Sequence, residues 1–223
     1  RLAIVDERHA PDRPDLLHAV REALEPAQPL GRDLRLDAEH ARRGVGGRRR
    51  VLPPVELATM MGSWRGKGVE TGHPMDGLLE RFGWHGKRFT GPDGAHPLVF
   101  ERTKGGVFSV NPALIPVGFV LRHADLFRHP LAGRLFRAFG VVLRTDQPKA
   151  RLRMTEYRGV VSATMIYDSL PINDIFRKVD DDTVLGVMDL RFTPQPFFFV
   201  LRREGQPGTA EPGSDHSVGW VEP

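Results

Sequence analysis

Met61-Gly62-Ser63-Trp64-Arg65-Gly66-Lys67-Gly68 decides how this chain folds. One large aromatic stands among three glycines, at the start of what reads as the first strand. A glycine within a strand permits a bulge or the close approach of another backbone. The tryptophan beside it supplies a large plug. The string is also a boundary, because the 13 Phe, 3 Trp and 2 Tyr of the chain all lie at or after Trp64.

Upstream, residues 1–52 contain no large anchor and cannot build a core of their own. Their one regular signal is Asp15 to Leu24, where Leu16, Leu17, Val20 and Leu24 fall at helical spacing behind Pro14. This predicts a short amphipathic helix followed by a mobile Arg/Gly linker. At the other end, residues 205–223 read as a Pro/Gly/Ser tail. The working domain is therefore 53–204.

Downstream of the glycine string the pattern is that of short strands. Arg151 to Tyr157 alternates with period two, with Leu152 and Met154 on one face. Arg158-Gly159 punctuates, and Val160 to Tyr167 is rich in β-branched and aromatic residues. Asp180-Asp181-Asp182 reads as a solvated turn, followed by Thr183 to Met188 and by Phe197 to Arg202. Strands at this spacing, joined by tight turns, predict a mainly β fold in which a meander closes into a barrel or sandwich. Between the halves, Ala124 to Phe139 carries Leu126, Phe127, Leu131, Leu135, Phe136 and Phe139 at near-helical spacing, interrupted by Pro130. A second short helix fits Met75 to Phe82, with Pro74 at its start and Gly83 at its end. The domain thus divides into 53–110, a helical insertion over 111–149, and C-terminal strands over 150–204.

The glycine–tryptophan string resembles the G-x-W opening of calycin barrels (lipocalins and fatty-acid-binding proteins), and more closely the G-x-W-x-G opening of the nitrobindins. The resemblance implies a calycin-like antiparallel β-barrel with a short helical insertion and a flexible N-terminal extension. It also implies that Trp64 closes the blind end beneath an arginine of the last strand, for which Arg202 and Arg203 are placed. Three further strings, Gly72-His73-Pro74-Met75-Asp76-Gly77, Gly83-Trp84-His85-Gly86-Lys87-Arg88-Phe89 and His96-Pro97-Leu98, resemble the bacterial GXWXG-domain family. Arg158 to Asp168, Leu170 to Asp180 and Leu185 to Asp189 resemble its usual C-terminal companion, a domain of unknown function. His85 stands where an aromatic is expected, and Asp189-Leu190-Arg191-Phe192 departs from an expected Asp-x-Lys-Gly. Neither family name carries an activity.

Composition excludes several functions. With no cysteine there are no disulfides, thiolate metal sites or cysteine nucleophiles, which suits a reducing cytoplasm. No apolar run reaches the length of a transmembrane helix, and the opening Arg1 to Arg8 lacks a signal-peptide core. The net charge of +4 and pI near 9.8 invite a nucleic-acid reading. The densest basic run, Arg42, Arg43, Arg48, Arg49 and Arg50, sits among glycines with no aromatic to stack a base, so no nucleic-acid partner is expected. No Gly-x-Ser-x-Gly elbow occurs, and Gly44 to Arg48 lacks the end of a phosphate loop. His73 with Asp76, His85, His96, and His123 with His129 are scattered, so no metal site is expected.

What remains points to a small-molecule cavity. Candidate ligand-binding residues are Trp64, His73, Trp84, Lys87, His96, Tyr167 and Arg177. Tyr167 is placed to present a phenol to a ligand if the strand carrying Val161, Ala163, Met165 and Tyr167 lines a cavity. Arg177 is placed to pair with Asp168 or Asp174, or to hold a ligand carboxylate. Met60, Met61, Met154, Met165 and Met188 would give an adaptable lining. The leading expectation is a carrier of a hydrophobic or amphipathic molecule. An isomerase, cyclase or hydratase in the same cavity would use Tyr167, His73 or His85 as acid or base and Lys87 or Arg177 as anion clamp. The nitrobindin resemblance implies haem, with His73, His85, His96 or His123 as proximal ligand, although the last strand offers none. A third reading takes the 112–140 segment as an interaction module presenting Phe127, Leu131, Leu135 and Phe136 to a partner.

Overall fold

The first strand lies beside the last. In the computed structural model, which describes residues 52–102 and 105–205, β1 (Gly62–Gly68) runs antiparallel to both β2 (Trp84–Gly91) and β9 (Phe197–Arg203). From β9 the sheet continues through β8 (Thr183–Leu190), β7 (Ile172–Lys178), β6 (Val160–Tyr167) and β5 (Ala150–Tyr157) to β3 (Gly94–Glu101). Because β3 also pairs with β2, the ladder closes into a ring of antiparallel strands. The short β4 (Val107–Ser109) takes over the edge of β3 beyond the single Ala95–Ala150 pair that joins β3 to β5. The expected 15–24 helix, the Arg/Gly linker and most of the 205–223 tail lie outside the described residues.

Trp64 explains the closure. Its register partners are Lys87 on β2 and Arg203 on β9, and its side chain is fully buried. The indole Nε1–H donates to the Met60 carbonyl at 2.8 Å, and the Arg203 guanidinium lies 4.3 Å from the ring centroid. Arg203 also donates to the carbonyls of Met61 (2.9 Å) and Thr59 (2.7 Å), which belong to the turn that leads into β1. One planar fork therefore ties the ends of the ring together while covering the tryptophan face. Arg203→Lys removes the fork but keeps the charge. It should cost about 1–2 kcal/mol, seen as a lower urea midpoint at unchanged slope.

Gly66 of the string and Gly86 of the facing strand are spacers. A Cβ on Gly66 would stand 2.3 Å from the Trp84 ring, and one on Gly86 would stand 1.9 Å from the Trp64 carbonyl oxygen. Gly86, at φ +149°, also marks an irregularity in the β2–β3 register. Alternation therefore slips by one residue, so that Trp84 and Lys87, three apart, are both buried. The Phe197-Phe198-Phe199 run divides in the ordinary way. Phe197 and Phe199 join the main core with Trp64, Met165 and Phe176, whereas Phe198 joins a second cluster with Ile175, Leu185 and Val187. Each such side chain contributes about 1.5–3 kcal/mol by leaving water. Between β6 and β7, which share only three register pairs, residues 53–55 insert: Ala163 N–H donates to Val55, and Lys178 N–H donates to Pro53.

Helices occupy one side. The 75–82 pattern yields α1 (Leu78–Phe82), shorter than expected because His73, Met75 and Gly77 form a tight turn, and Gly83 ends it at φ +79°. The 124–139 pattern breaks at Pro130, as the ring of that residue requires. It gives α3 (Ala124–Phe127) and α4 (Pro130–Phe139), preceded by α2 (Val117–Arg122). α4 lies hard against α1, because Gly133 brings the Arg81 carbonyl to within 2.6 Å of where a Cβ would be. Phe136 packs edge-on to Phe82 at 5.1 Å and against Phe100 at 4.9 Å. Among the described residues no helix is long and apolar enough to cross a membrane.

Candidate functional site

The helical segment and the inner faces of the strands line a partly open cavity of about 710 Å³. From the strands come Trp84, Phe100, Tyr167, Met188, Phe197 and Phe199. The helices and the turns between them supply Val117, Leu121, Leu126, Leu131, Leu135 and Phe136. Phe127, Leu131, Leu135 and Phe136, read above as a face for a partner, all line this space, with Leu131 and Leu135 staying exposed by 55% and 57%. No Asp, Glu, Lys or Arg lines the cavity. Its polar contributors are the Trp84 indole, His129 and Tyr167.

Behind the aromatic wall lies a buried polar trio. Lys87 Nζ is 2.8 Å from Asp174 Oδ2 and donates to the Pro97 carbonyl at 3.1 Å. The ammonium sits within 4.8–5.8 Å of the ring centroids of Phe199, Trp84 and Tyr167. The Tyr167 phenol is buried beside the same carboxyl and interacts with it electrostatically. Strand geometry brings the three together, since Asp174 is the register partner of Met165 and shares the inward face with Ile172 and Phe176. Burial dominates their acid–base behaviour. It pushes the Asp174 carboxyl up and the Lys87 ammonium down, with their mutual attraction opposing both shifts. The Tyr167 phenol is driven well above its ordinary value by burial and by the neighbouring carboxylate. Asp174 was legible as an inward charge from the Ile172/Asp174/Phe176 alternation, but the strand itself was not read from the sequence.

The expected site residues separate into two groups. Trp84 and Tyr167 line the cavity, and Lys87 stands one ring behind them. Trp64, His73, His96 and Arg177 do not line it. His73 is buried in its own turn, accepting from Met75 N–H at 3.1 Å and meeting Thr193 at 3.3 Å. Burial lowers the pKa of His73, and that of His96, the register partner of Arg88. Arg177 pairs with neither Asp168 nor Asp174. Its guanidinium caps the carbonyls of Tyr157 (2.9 Å) and Val160 (3.2 Å), because Lys87 already holds Asp174 and the nearest cation to Asp168 is Arg151 at 3.9 Å. Of the methionines expected as lining, only Met188 lines the cavity, joined by Met75.

Haem does not fit the histidines proposed for it. None of His73, His85, His96 and His123 lines the cavity, and His85 is bound to Glu204 at 2.8 Å. His129 does line it, but its Nδ1 accepts from Leu131 N–H as the cap of α4. Among the described residues no group of three His, Asp or Glu side chains is placed to hold a metal ion.

Fold and site together define a closed antiparallel sheet with an apolar internal cavity walled on one side by short helices. The chain belongs to the family that joins a GXWXG domain, matched over residues 50–105, to a domain of unknown function (DUF4334), matched over 148–203. A crystal structure of a protein from Thermomonospora curvata is similar, with 31% identity over 78% of this chain and 89% of that one and a TM-score of 0.51. No curated protein matches the chain.

Proposed function

We propose that the ring is a calycin-like barrel and that the protein binds a hydrophobic or amphipathic small molecule in its cavity, in a cytoplasmic setting. One observation carries this reading: a pocket of about 710 Å³, open on one side, whose wall contains no Asp, Glu, Lys or Arg and only three polar side chains. That size and character are those of a small-molecule site, and an eight-stranded ring can hold one such ligand. Catalysis in the same cavity is less well supported. Of the two titratable side chains that line the cavity, His129 has its Nδ1 committed to the Leu131 N–H, and the Tyr167 phenol, driven well above its ordinary pKa, neither gives up its proton near neutrality nor serves there as a base.

The test is titration of the purified protein with the neutral dye Nile red, followed by displacement with apolar molecules. Ala132, half-buried on α4, lines the cavity. Ala132→Phe should place a ring in the space and weaken dye binding at least tenfold with little change in melting temperature. Unchanged affinity, or no dye binding by the parent protein, would discard the reading.

A further inference from the structure

Exposed apolar surface gathers at the mouth of the cavity. Among the described residues nine large apolar side chains are exposed, and six of them, Leu114, Phe119, Leu126, Leu131, Leu135 and Val142, lie in the helical segment. The four leucines also line the cavity, so they form the rim through which it opens. Such a concentration of exposed apolar residues marks an interaction surface. Charge then distinguishes the kind of partner. Arg122, Arg128 and Arg134 are exposed on the same short helices and the turn between them, and the segment holds one acid, Asp125. Asp125 is bound to Arg128 at 2.8 Å, whereas Arg122 and Arg134 have no ion-pair partner among the described residues. On α4, Leu131, Arg134 and Leu135 stand at i, i+3 and i+4 and share one exposed face. Leucine tips beside unpaired guanidinium groups match a surface that offers hydrocarbon just beneath a layer of phosphates. A folded protein would have to supply an acid for each arginine and a cleft for each leucine. An anionic bilayer supplies both without a matching shape, and it is where an apolar ligand accumulates.

We propose that the helical rim docks on the surface of an anionic bilayer, where the cavity takes up or releases its ligand. Phe119, Leu126, Leu131 and Leu135 enter the headgroup layer, and Arg122 and Arg134 meet lipid phosphates. The inference rests on the small-molecule reading above and adds the partner from which the ligand comes.

The chain has no cysteine, so one introduced cysteine carries one label. Phe119 and Val161 are both about half exposed, and neither lines the cavity. Val161 lies near the far end of β6 from the cavity-lining Tyr167. Phe119→Cys and Val161→Cys, made in the full chain, are each labelled with the polarity-sensitive dye acrylodan. Vesicles of two parts phosphatidylcholine to one part phosphatidylglycerol should shift the first label's emission to the blue and leave the second unchanged. The pair of labels also separates docking at the rim from attachment through Arg42 to Arg50, which would shift neither. Co-sedimentation with the same vesicles should weaken at least tenfold in Leu131→Glu/Leu135→Glu, and about fivefold in each of Arg122→Gln and Arg134→Gln. Melting temperatures should be kept, since all four side chains are exposed. A shift at both labels or at neither, or equal sedimentation of parent and variants, overturns the proposal. A second copy of the chain on the rim would instead give a dimer that Leu131→Glu/Leu135→Glu dissociates, with no shift on vesicles, and overturns it too. Nile red titration without vesicles keeps the two readings apart. Dye binding with no shift at Phe119→Cys overturns docking and leaves the carrier standing, whereas a shift without dye binding overturns uptake from the bilayer.

Discussion

Lys87→Met should destabilise the protein by about 3–5 kcal/mol at pH 8, because it leaves Asp174 buried without its cation. Both side chains are almost fully buried, at 3% and 0% exposure, so water cannot replace the lost partner. The sign of the pH dependence follows from the direction of each shift. The Asp174 carboxyl is raised above its ordinary 3.8 by burial even in the wild type, and removing Lys87 removes the attraction that opposes the rise. The folded variant then binds more protons than the unfolded chain above pH 4, so its stability falls as pH rises through that window. Asp174→Asn gives the mirror image. Lys87 is held below its ordinary 10.5 by burial and loses the carboxylate that supported it. The unfolded chain then binds the extra proton, and stability rises with pH toward 10.5. The double variant Lys87→Met/Asp174→Leu should regain most of the loss, since an apolar pair of similar volume often matches or exceeds a buried ion pair. Urea unfolding of the three variants between pH 5 and 9 checks this. Parallel pH slopes in the two single variants, or a Lys87→Met loss below about 1 kcal/mol, would mean that the pair is hydrated rather than buried.

That pair also marks where the sequence stops being readable. The glycine–tryptophan string, the closing arginine and the strands from Arg151 to Arg202 are local signals, with alternation, turn chemistry and spacing all on one face of the chain. They lead directly to the observed neighbours Trp64 and Arg203. β2 and β3 were hidden because the register irregularities around Gly86 break the period of two, which is also what turns Lys87 inward. β7 was hidden because Asn173, Asp174, Arg177 and Lys178 make it polar, and the partner of its buried carboxylate, Lys87, is distant in sequence. Lys87 and Asp174 are 87 residues apart, and no local pattern joins them. The helical insertion posed the opposite difficulty. Its apolar periodicity was plain, but the same stripe suits a partner's surface or a cavity wall, and only the fold chooses. Tyr167 was found because its strand alternates cleanly. Arg177 was misassigned for an equally physical reason: a guanidinium near two carboxylates is a good pair on paper, yet part-buried carbonyls at a strand end compete for the same five donors.

Gly86→Ala should be the most damaging single-methyl substitution in the domain, and comparison with two other glycines shows why. At Gly159 (φ +76°) nothing lies within 4 Å of where a methyl group would stand, so alanine there costs only the unfavourable backbone, about 1 kcal/mol. At Gly86 the backbone is equally disfavoured (φ +149°), and the methyl would also stand 1.9 Å from the Trp64 carbonyl oxygen and 2.8 Å from the Gly66 amide nitrogen. Those are main-chain atoms of the neighbouring strand, so relief requires β1 and β2 to part at the Arg65–Gly86 pair, beside Trp64 and Lys87. Strain plus overpacking puts the loss at about 3–5 kcal/mol. Gly66 is the informative contrast, because its methyl would collide at 2.3 Å with the ring of Trp84 rather than with backbone. That ring faces a cavity and can swing into it. Gly66→Ala should therefore lose only about 1–3 kcal/mol but should cost far more in ligand affinity, because the displaced indole occupies ligand space. Thermal melts and Nile red titrations on the three variants separate these effects. If Gly66→Ala lowered stability as much as Gly86→Ala while leaving dye affinity intact, the Trp84 ring would not be a wall of the binding site.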